Sequence, residues 1–356
     1  VDGNAGSQAT STITMVGNVD LVGVSRTLDT NDTAGRASGQ IDLSNAVVGT
    51  SGIGGILTLD TSTADGQSAG HIELGDINAA LGQRLDTLRV TTTSATGTSG
   101  TLFLNDGDAN GTATISVLND VELTGAAEVQ LREDALIETF ADVNDIDGGD
   151  DGDVAFADGG NISGAFNLTI DTDTAGSDGD VFLSNVAATG ARLTQLVVTA
   201  DNGTITLQDG TINTAGNVTF IGATVLTANT TVDTDGGTTD FSDAVFSSDD
   251  TQPWTLTIDT RSGDGSDEGD VFLAGADNTG VLDGNFLSTV LIEADEFGGL
   301  GGTPGNLTFI NDRAAAVSIT LDDASFTFNG GDVIVSDNTT IDTNPDDLGV
   351  SGSVNL

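Results

Sequence analysis

Residues 168–183, LTIDTDTAGSDGDVFL, and residues 256–273, LTIDTRSGDGSDEGDVFL, carry the same two patterns in the same order. Each stretch begins with alternating apolar and polar residues that end in Asp-Thr, and each closes on a glycine that opens another alternating stretch. Alternation with a period of two is typical of β-strands, and glycine and aspartate are typical of the turns between them. The two stretches therefore predict short strands joined by polar loops.

Both patterns recur along the chain. The Asp-Thr pattern closes predicted strands at Leu28-Asp29-Thr30, Leu59-Asp60-Thr61, Ile170-Asp171-Thr172, Val232-Asp233-Thr234, Ile258-Asp259-Thr260 and Ile341-Asp342-Thr343. The glycine pattern opens predicted strands at Gly39, Gly70, Gly100, Gly179, Gly203, Gly216 and Gly269. Together they define three imperfect repeats, about 57–167, 168–255 and 256–345, whose loops vary in length. Such recurrence is typical of stacked structural units with outward insertions.

Two all-β architectures fit these strands: a parallel β-helix, and tandem immunoglobulin-like sandwiches of about 100 residues each. The glycine pattern recurs locally at intervals of 24 to 31 residues, which is too short for a sandwich and suits one coil of a solenoid. We predict a single β-solenoid over residues 1–356, with Val, Ile, Leu and Phe pointing inward. Residues 120–140 also carry a helical spacing, but we favour strands there.

Composition excludes several classes of function. The chain has 8 basic residues against 55 acidic ones, for a formal net charge of −47, and all the basic residues are arginines. Nucleic-acid binding is excluded because phosphates are neutralised by clustered Lys and Arg. Without lysine there is no Schiff base and no P-loop lysine, and without cysteine there is no disulfide, thiolate nucleophile or zinc ribbon.

No apolar run approaches the roughly 20 residues that a membrane-spanning helix needs, so we expect no membrane insertion. The sequence starts at Val1 without an initiator methionine. We expect a processed form or a fragment of a larger protein.

The stretches 203–207 (GTITL), 216–223 (GNVTFIGA) and 225–234 (VLTANTTVDT) resemble the repeats of filamentous-haemagglutinin-like large surface proteins of bacteria. The resemblance is best from about residue 167 to residue 343. It implies a right-handed parallel β-helix, secretion, and a role at the cell surface in adhesion, matrix or coat formation.

The acidic loops are candidate calcium sites. Asp106, Asp108 and Asn110 have the D-x-D-x-N-G arrangement that curls oxygen ligands around Ca²⁺, although position twelve is Val117 rather than a bidentate glutamate. Residues 148–156, with Asp150 and Asp153, form one imperfect copy of a glycine-rich nonapeptide that binds calcium in secreted toxins. A solvated Asp-Gly turn is the alternative in both places.

Stacking gives a broader reason to expect cations. If the acids of the Asp-Thr pattern and of loops such as Asp264, Asp267 and Asp270 stack on successive coils, like charges lie about 5 Å apart. Their repulsion is about 3 kcal/mol per pair at an effective dielectric of 20. Bound Ca²⁺ or high salt would relieve it, and the alternative is that these carboxylates simply face solvent.

Alternation places Phe103, Phe182 and Phe272 on the outer face of their strands, where either the protein's own loops or another copy must cover them. We predict an assembly interface at these three residues. Trp254 fits a core or corner position better than a sugar platform. His71 falls on an outward face without a catalytic constellation, so we expect no enzyme; Arg261 beside Asp259 and Asp264 is the one pairing worth testing.

We therefore expect an acidic extracellular or cell-surface structural protein, a module of a coat (S-layer), filament or adhesin that assembles with copies of itself and is stabilised by divalent cations or salt. The alternative is a monomeric rod that acts as an adhesin module and binds a surface glycan or a receptor.

Overall fold

The computed structural model describes residues 12–21, 25–30, 37–50, 55–63, 67–77, 84–105, 107, 111–140, 152–157, 160–174, 179–243, 245–248, 254–274, 287–296, 302–310, 316–321, 325–343 and 352–356. These residues form strands and turns without a helix, so none of them belongs to a helix that could cross a membrane.

The strands are, in chain order, β1 (Thr12–Asp20), β2 (Arg26–Asp29), β3 (Gln40–Gly49), β4 (Leu57–Asp60), β5 (Ile72–Ile77), β6 (Leu88–Thr91), β7 (Thr101–Leu104), β8 (Thr112–Val117), β9 (Val121–Thr124), β10 (Glu128–Leu131), β11 (Asp134–Phe140), β12 (Val154–Ala157), β13 (Asn161–Ser163), β14 (Asn167–Thr174), β15 (Val181–Leu183), β16 (Gln195–Leu207), β17 (Thr211–Asn213), β18 (Val218–Leu226), β19 (Thr230–Asp233), β20 (Thr239–Phe241), β21 (Val245–Ser247), β22 (Thr255–Asp259), β23 (Val271–Leu273), β24 (Thr289–Glu293), β25 (Leu307–Phe309), β26 (Ala316–Thr320), β27 (Phe326–Asn329), β28 (Val333–Val335), β29 (Asn338–Asp342) and β30 (Val354–Asn355).

The chain divides into two compact units. The first comprises Val1–Ser184 with Thr189–Ala191, and the second comprises Asn185–Ala188 with Arg192–Leu356.

Three parallel ladders build the first unit. Ladder A joins β1, β3, β5, β7, β10 and β13. Ladder B joins the second halves of β1, β3 and β5 to β8, β11 and β14. Ladder C joins β2, β4, β6, β9, β12 and β15. Each coil of the chain thus contributes one strand to each ladder, which is the geometry of a solenoid.

The second unit follows the same plan. Ladder D joins the first halves of β16 and β18 to β20, β23, β25 and β28. Ladder E joins the second halves of β16 and β18 to β21. Ladder F joins β17, β19, β22, β24, β27 and β30. The strands β26 and β29 form a further parallel pair.

These ladders confirm the predicted all-β solenoid of parallel strands. Every strand pairing in the described part of the chain is parallel, whereas an immunoglobulin-like sandwich is built from antiparallel sheets. Residues 120–140 form β9, β10 and β11, as the alternation predicted. The handedness of the winding and the extent of the solenoid over residues 1–356 stay predictions.

The core lies inside the coils, because alternate side chains of each strand point inward. Along β18 buried and half-buried residues alternate without interruption, and Phe220 and Leu226 are fully buried. Burial of each such side chain stabilises the fold by about 2 kcal/mol. The core is therefore a column of Val, Ile, Leu and Phe that continues from coil to coil.

A threonine–glycine pair, which we call the clamp, closes corners between consecutive strands in both units. The Thr61 hydroxyl donates to the Gly70 carbonyl oxygen at 2.8 Å, and the Gly70 N–H donates back to the Thr61 carbonyl oxygen at 3.3 Å. The same hydroxyl-to-carbonyl bond joins Thr30 to Gly39, Thr92 to Gly100, Thr139 to Gly152, Thr172 to Gly179, Thr214 to Gly216, Thr234 to Gly237 and Thr260 to Gly269. At Thr30, Thr61, Thr172 and Thr260 the clamp links the Asp-Thr pattern to the glycine pattern.

The clamp glycines also stack on one another. A Cβ atom at Gly70 would lie 1.6 Å from the Gly39 carbonyl oxygen, and one at Gly269 would lie 1.9 Å from that of Gly237. Atoms cannot approach so closely, so only glycine permits adjacent coils to meet at these corners.

Candidate functional site

The acidic corners of the solenoid hold its most regular polar feature, which we call the brace. In a brace, a side-chain acceptor in a corner loop or near a strand end accepts the backbone N–H of the equivalent residue one coil further on. The oxygen braces join Asp76 to Thr114, Asp120 to Asp153, Asp134 to Asn167, Asp153 to Asp180, Asn217 to Thr238, Asn229 to Thr255, Asp267 to Thr303, Asp270 to Asn306 and Asn306 to Asp332. The side chains in this set therefore bind coil to coil.

In the first unit, braces join three aspartates at the start of ladder C: Asp120, Asp153 and Asp180. The Asp180 N–H donates to Oδ1 of Asp153 at 2.7 Å, and the Asp153 N–H donates to Oδ1 of Asp120 at 3.3 Å. Burial raises the pKa of the Asp120 carboxyl, its hydrogen bond from Asp153 lowers it, and the charges of Glu122 and Asp86 raise it further. The charges of Glu122 and Asp86 thus repel the Asp120 carboxylate while it accepts a hydrogen bond from Asp153.

In the second unit, the row at the start of ladder D contains neutral side chains next to each of its carboxylates. The Asn306 N–H donates to Oδ1 of Asp270 at 2.7 Å, and the Asp332 N–H donates to Oδ1 of Asn306 at 2.9 Å. Earlier in the same row, the Thr238 N–H donates to Oδ1 of Asn217 at 2.9 Å. The amide of Asn306 separates the two carboxylates.

Arginines neutralise the acids that line the outer face of ladder F. Arg192 binds both carboxylate oxygens of Asp233 at 3.0 and 2.7 Å. Arg261 binds both oxygens of Asp259 at 2.9 and 2.7 Å and approaches Glu293 at 3.5 Å. In both arginines the hydrogen bonds to these carboxylates raise the pKa of the guanidinium. Bidentate pairs of this kind are stronger than single-point contacts between charges.

The loop before β23 holds three of the predicted calcium ligands, and each points to a different partner. Asp264 accepts hydrogen bonds from the hydroxyl of Ser262 at 2.6 Å and the N–H of Ser266 at 2.9 Å, which lower its pKa to about 2. Asp267 braces Thr303, and Asp270 braces Asn306. The structure therefore does not bring the three carboxylates together.

The remaining calcium candidates separate into two groups. Asp153 belongs to the brace row of the first unit. Asp106, Asp108, Asn110 and Asp150 lie outside the described residues. In the part of the chain that the structure describes, no group of three or more His, Asp or Glu residues has a geometry that could hold a metal ion. Calcium binding stays a prediction.

The three phenylalanines of the predicted assembly interface point outward, as alternation predicted. Phe103, Phe182 and Phe272 are each half-buried between two buried neighbours. Phe103 lies under Arg132, whose guanidinium carbon is 3.7 Å from the ring centroid, a cover that the sequence analysis did not consider. Within the first unit Phe103 belongs to ladder A and Phe182 to ladder C, so these two do not form one row.

Phe103 and Phe182 are separated because the clamp closes different corners of the coil at different points along the chain. The clamp of Thr61 and Gly70 joins ladder C to ladder A, whereas that of Thr172 and Gly179 joins ladder B to ladder C. Equivalent sequence positions thus lie on different faces.

The residues considered for catalysis make contacts that support the fold. Arg261 pairs with Asp259 and Glu293, while Asp264 binds serines of its own loop. His71 is exposed, and its Nδ1 accepts the Thr101 N–H at 2.9 Å. Trp254 is half-buried just before β22, and its carbonyl oxygen accepts the Ser288 N–H at 2.9 Å.

No family model, curated protein or solved structure matches the chain.

Proposed function

We propose that the protein is an extracellular structural solenoid, a module of a cell-surface coat, filament or adhesin that assembles with copies of itself and is stabilised by divalent cations or salt. The observation that carries this proposal is the repeated use of polar side chains to join coils. Braces in both units bind neighbouring coils to one another, and clamps close the corners between consecutive strands.

The surface charge supports the dependence on cations. The chain carries a formal net charge of −47, and stacked pairs such as Asp29–Asp60 and Asp120–Asp153 place carboxylates in register on adjacent coils. Two unit charges about 5 Å apart repel by about 1 kcal/mol in water. Salt weakens this repulsion, and a divalent ion between two carboxylates removes it.

Apolar exposure supports assembly through coil ends. The exposed large apolar residues among those described are Val16 in the first strand and Ile334, Val335, Val354 and Leu356 in the last strands. Val335 is paired in register with the buried Phe309, and Val354 with the buried Phe326, so both occupy inward positions. Exposed inward apolar side chains are suited to pack against a further coil.

Electron microscopy and sedimentation of the protein with calcium, with a chelator, and with a chelator plus high sodium chloride test the proposal. We expect ordered assemblies that dissociate on chelation. Restoration by sodium chloride would assign the effect to screening, and failure of sodium chloride to restore them would assign it to divalent ions. Isolated rods in every condition would contradict the proposal and favour the monomeric adhesin module.

A matched pair of variants tests the coil end. Val335→Asp places a charge at an inward position and should abolish assembly, whereas Ile334→Asp alters the neighbouring outward position, which is in register with Thr308. Equal assembly by the two variants would exclude this end as the contact.

A further inference from the structure

His71 is the one histidine of the chain, and it occupies a brace position. It directly precedes β5 in ladder A and lies in register with Thr101, which opens β7. The Thr101 N–H donates to Nδ1 of His71 at 2.9 Å. The side chain is exposed, so protons from solvent reach it freely.

Imidazole differs chemically from the acceptors of the other braces. The carboxylates and amides at those positions keep an acceptor oxygen throughout the neutral and mildly acidic range. Because a backbone N–H can only donate, Nδ1 of His71 must be unprotonated in this contact, with the ring hydrogen on Nε2. A protonated imidazole carries hydrogen on both nitrogens and accepts no hydrogen bond.

Charged groups of both signs lie on the strands around His71. Glu73 follows His71 in β5, Asp42 is in register with Glu73 from β3, and Glu128 is in register with Thr101 from β10. Arg132 is bound to Glu73 at 3.2 Å. The strand β7 contributes no ionisable side chain.

The Phe103 ring lies beside the His71 ring, and the Arg132 guanidinium carbon lies over the Phe103 ring, 3.7 Å from its centroid. Its centroid is 5.7 Å from that of the His71 ring, with the two planes tilted by 47°.

We propose that His71 is a pH-sensitive brace, which joins β5 to β7 while its imidazole is neutral and releases the Thr101 N–H when the imidazole takes up a proton. The device is independent of the proposed assembly, since it acts between adjacent coils of one molecule.

Amide hydrogen exchange at Thr101, followed with the ¹⁵N shifts of the His71 ring between about pH 7.5 and pH 5, tests this inference. After correction for the intrinsic dependence of exchange on pH, we expect Thr101 to lose about tenfold in protection as His71 protonates. Thr238, which is bound to the amide of Asn217, is the internal control and should keep its protection.

The variant His71→Asn supplies an amide oxygen of the kind that Asn217 uses, so its Thr101 protection should be independent of pH. Constant Thr101 protection in the parent protein while His71 titrates would overturn the proposal. So would a His71 ring that stays neutral over this range, or an equal loss of protection in His71→Asn.

Discussion

The two units join their coils with the same brace but differ in the charge of its acceptors. In the first unit Asp120, Asp153 and Asp180 follow one another, so carboxylates lie on consecutive coils. In the second unit Asn306 lies between Asp270 and Asp332. In both rows a side-chain oxygen accepts the backbone N–H of a residue one coil further on. The comparison teaches that the brace requires an acceptor oxygen, while its charge is a separate and unfavourable contribution.

The glycine stack should be equally sensitive in the two units, and it gives the largest expected effect. Gly70→Ala and Gly269→Ala each place a Cβ within 2 Å of a carbonyl oxygen of the preceding coil. We expect each substitution to lower the free energy of unfolding by about 3 kcal/mol, measured by denaturant unfolding.

Gly263→Ala is the matched control, because the nearest atom to its Cβ would be Oδ1 of Asp235 at 3.7 Å, an ordinary contact. A large loss in one unit alone would show that the two units do not share one packing rule at their corners.

The clamp hydroxyl gives the next effect. Thr260→Val and Thr61→Val keep the shape of a buried side chain but remove its bond to the glycine carbonyl. We expect a loss of about 1 to 2 kcal/mol in thermal or denaturant unfolding. Thr257→Val, on the half-buried outer face of β22, should stay within about 0.5 kcal/mol of the parent protein. Equal effects at Thr257 and Thr260 would show that the clamp hydrogen bond does not contribute to stability.

The alternation in the sequence predicted the buried positions correctly. The sequence did not reveal which residues close the corners. Leu168, Ile170, Val181 and Leu183 are fully buried as their period of two required. The clamp was missed although both of its halves recur in the sequence, because a pattern does not state which of its residues meet. A threonine that ends one strand, paired with a glycine that opens the next, was the available signal.

The brace was harder to foresee. The Asp153 carboxylate accepts the backbone N–H of Asp180. Any residue except proline offers the same donor. An aspartate before a strand therefore suggested a cation ligand, since sequence shows the carboxylate and hides its backbone partner. Residue-level roles at the corners depend on register between coils, which no short stretch encodes.

Removing charge from the brace rows tests the comparison directly. Asp153→Asn keeps an acceptor for the Asp180 N–H and removes one of three stacked charges, so we expect it to raise stability by about 0.5 to 1 kcal/mol at low salt. Asp270→Asn should raise it less, because its neighbours in the row are Thr238 and Asn306. Thermal unfolding at low and high sodium chloride measures both, and the gain from Asp153→Asn should shrink with salt. A gain that ignores salt would contradict an origin in charge.

The smallest expected effects come from pH. The raised pKa of Asp120 means that ionisation opposes folding above its pKa, so Asp120→Asn should stabilise the protein at neutral pH and lose this advantage in acid. The pKa of Asp264 is lowered to about 2, so its ionised form favours folding, and Asp264→Asn should destabilise at neutral pH but not near pH 2. Unfolding midpoints across pH for the two variants should therefore diverge in opposite directions. Parallel profiles would exclude these assignments.

The clamp also separates the length of a loop from the geometry of the coil. Its two residues are 2 positions apart at Thr214 and Gly216, 9 apart at Thr61 and Gly70, and 13 apart at Thr139 and Gly152, yet the same hydroxyl-to-carbonyl bond closes each corner. Segments of very different length can thus connect the two residues of a clamp. Foreign epitopes or binding peptides grafted between a clamp threonine and its glycine would be displayed on a scaffold whose coils already tolerate such variation.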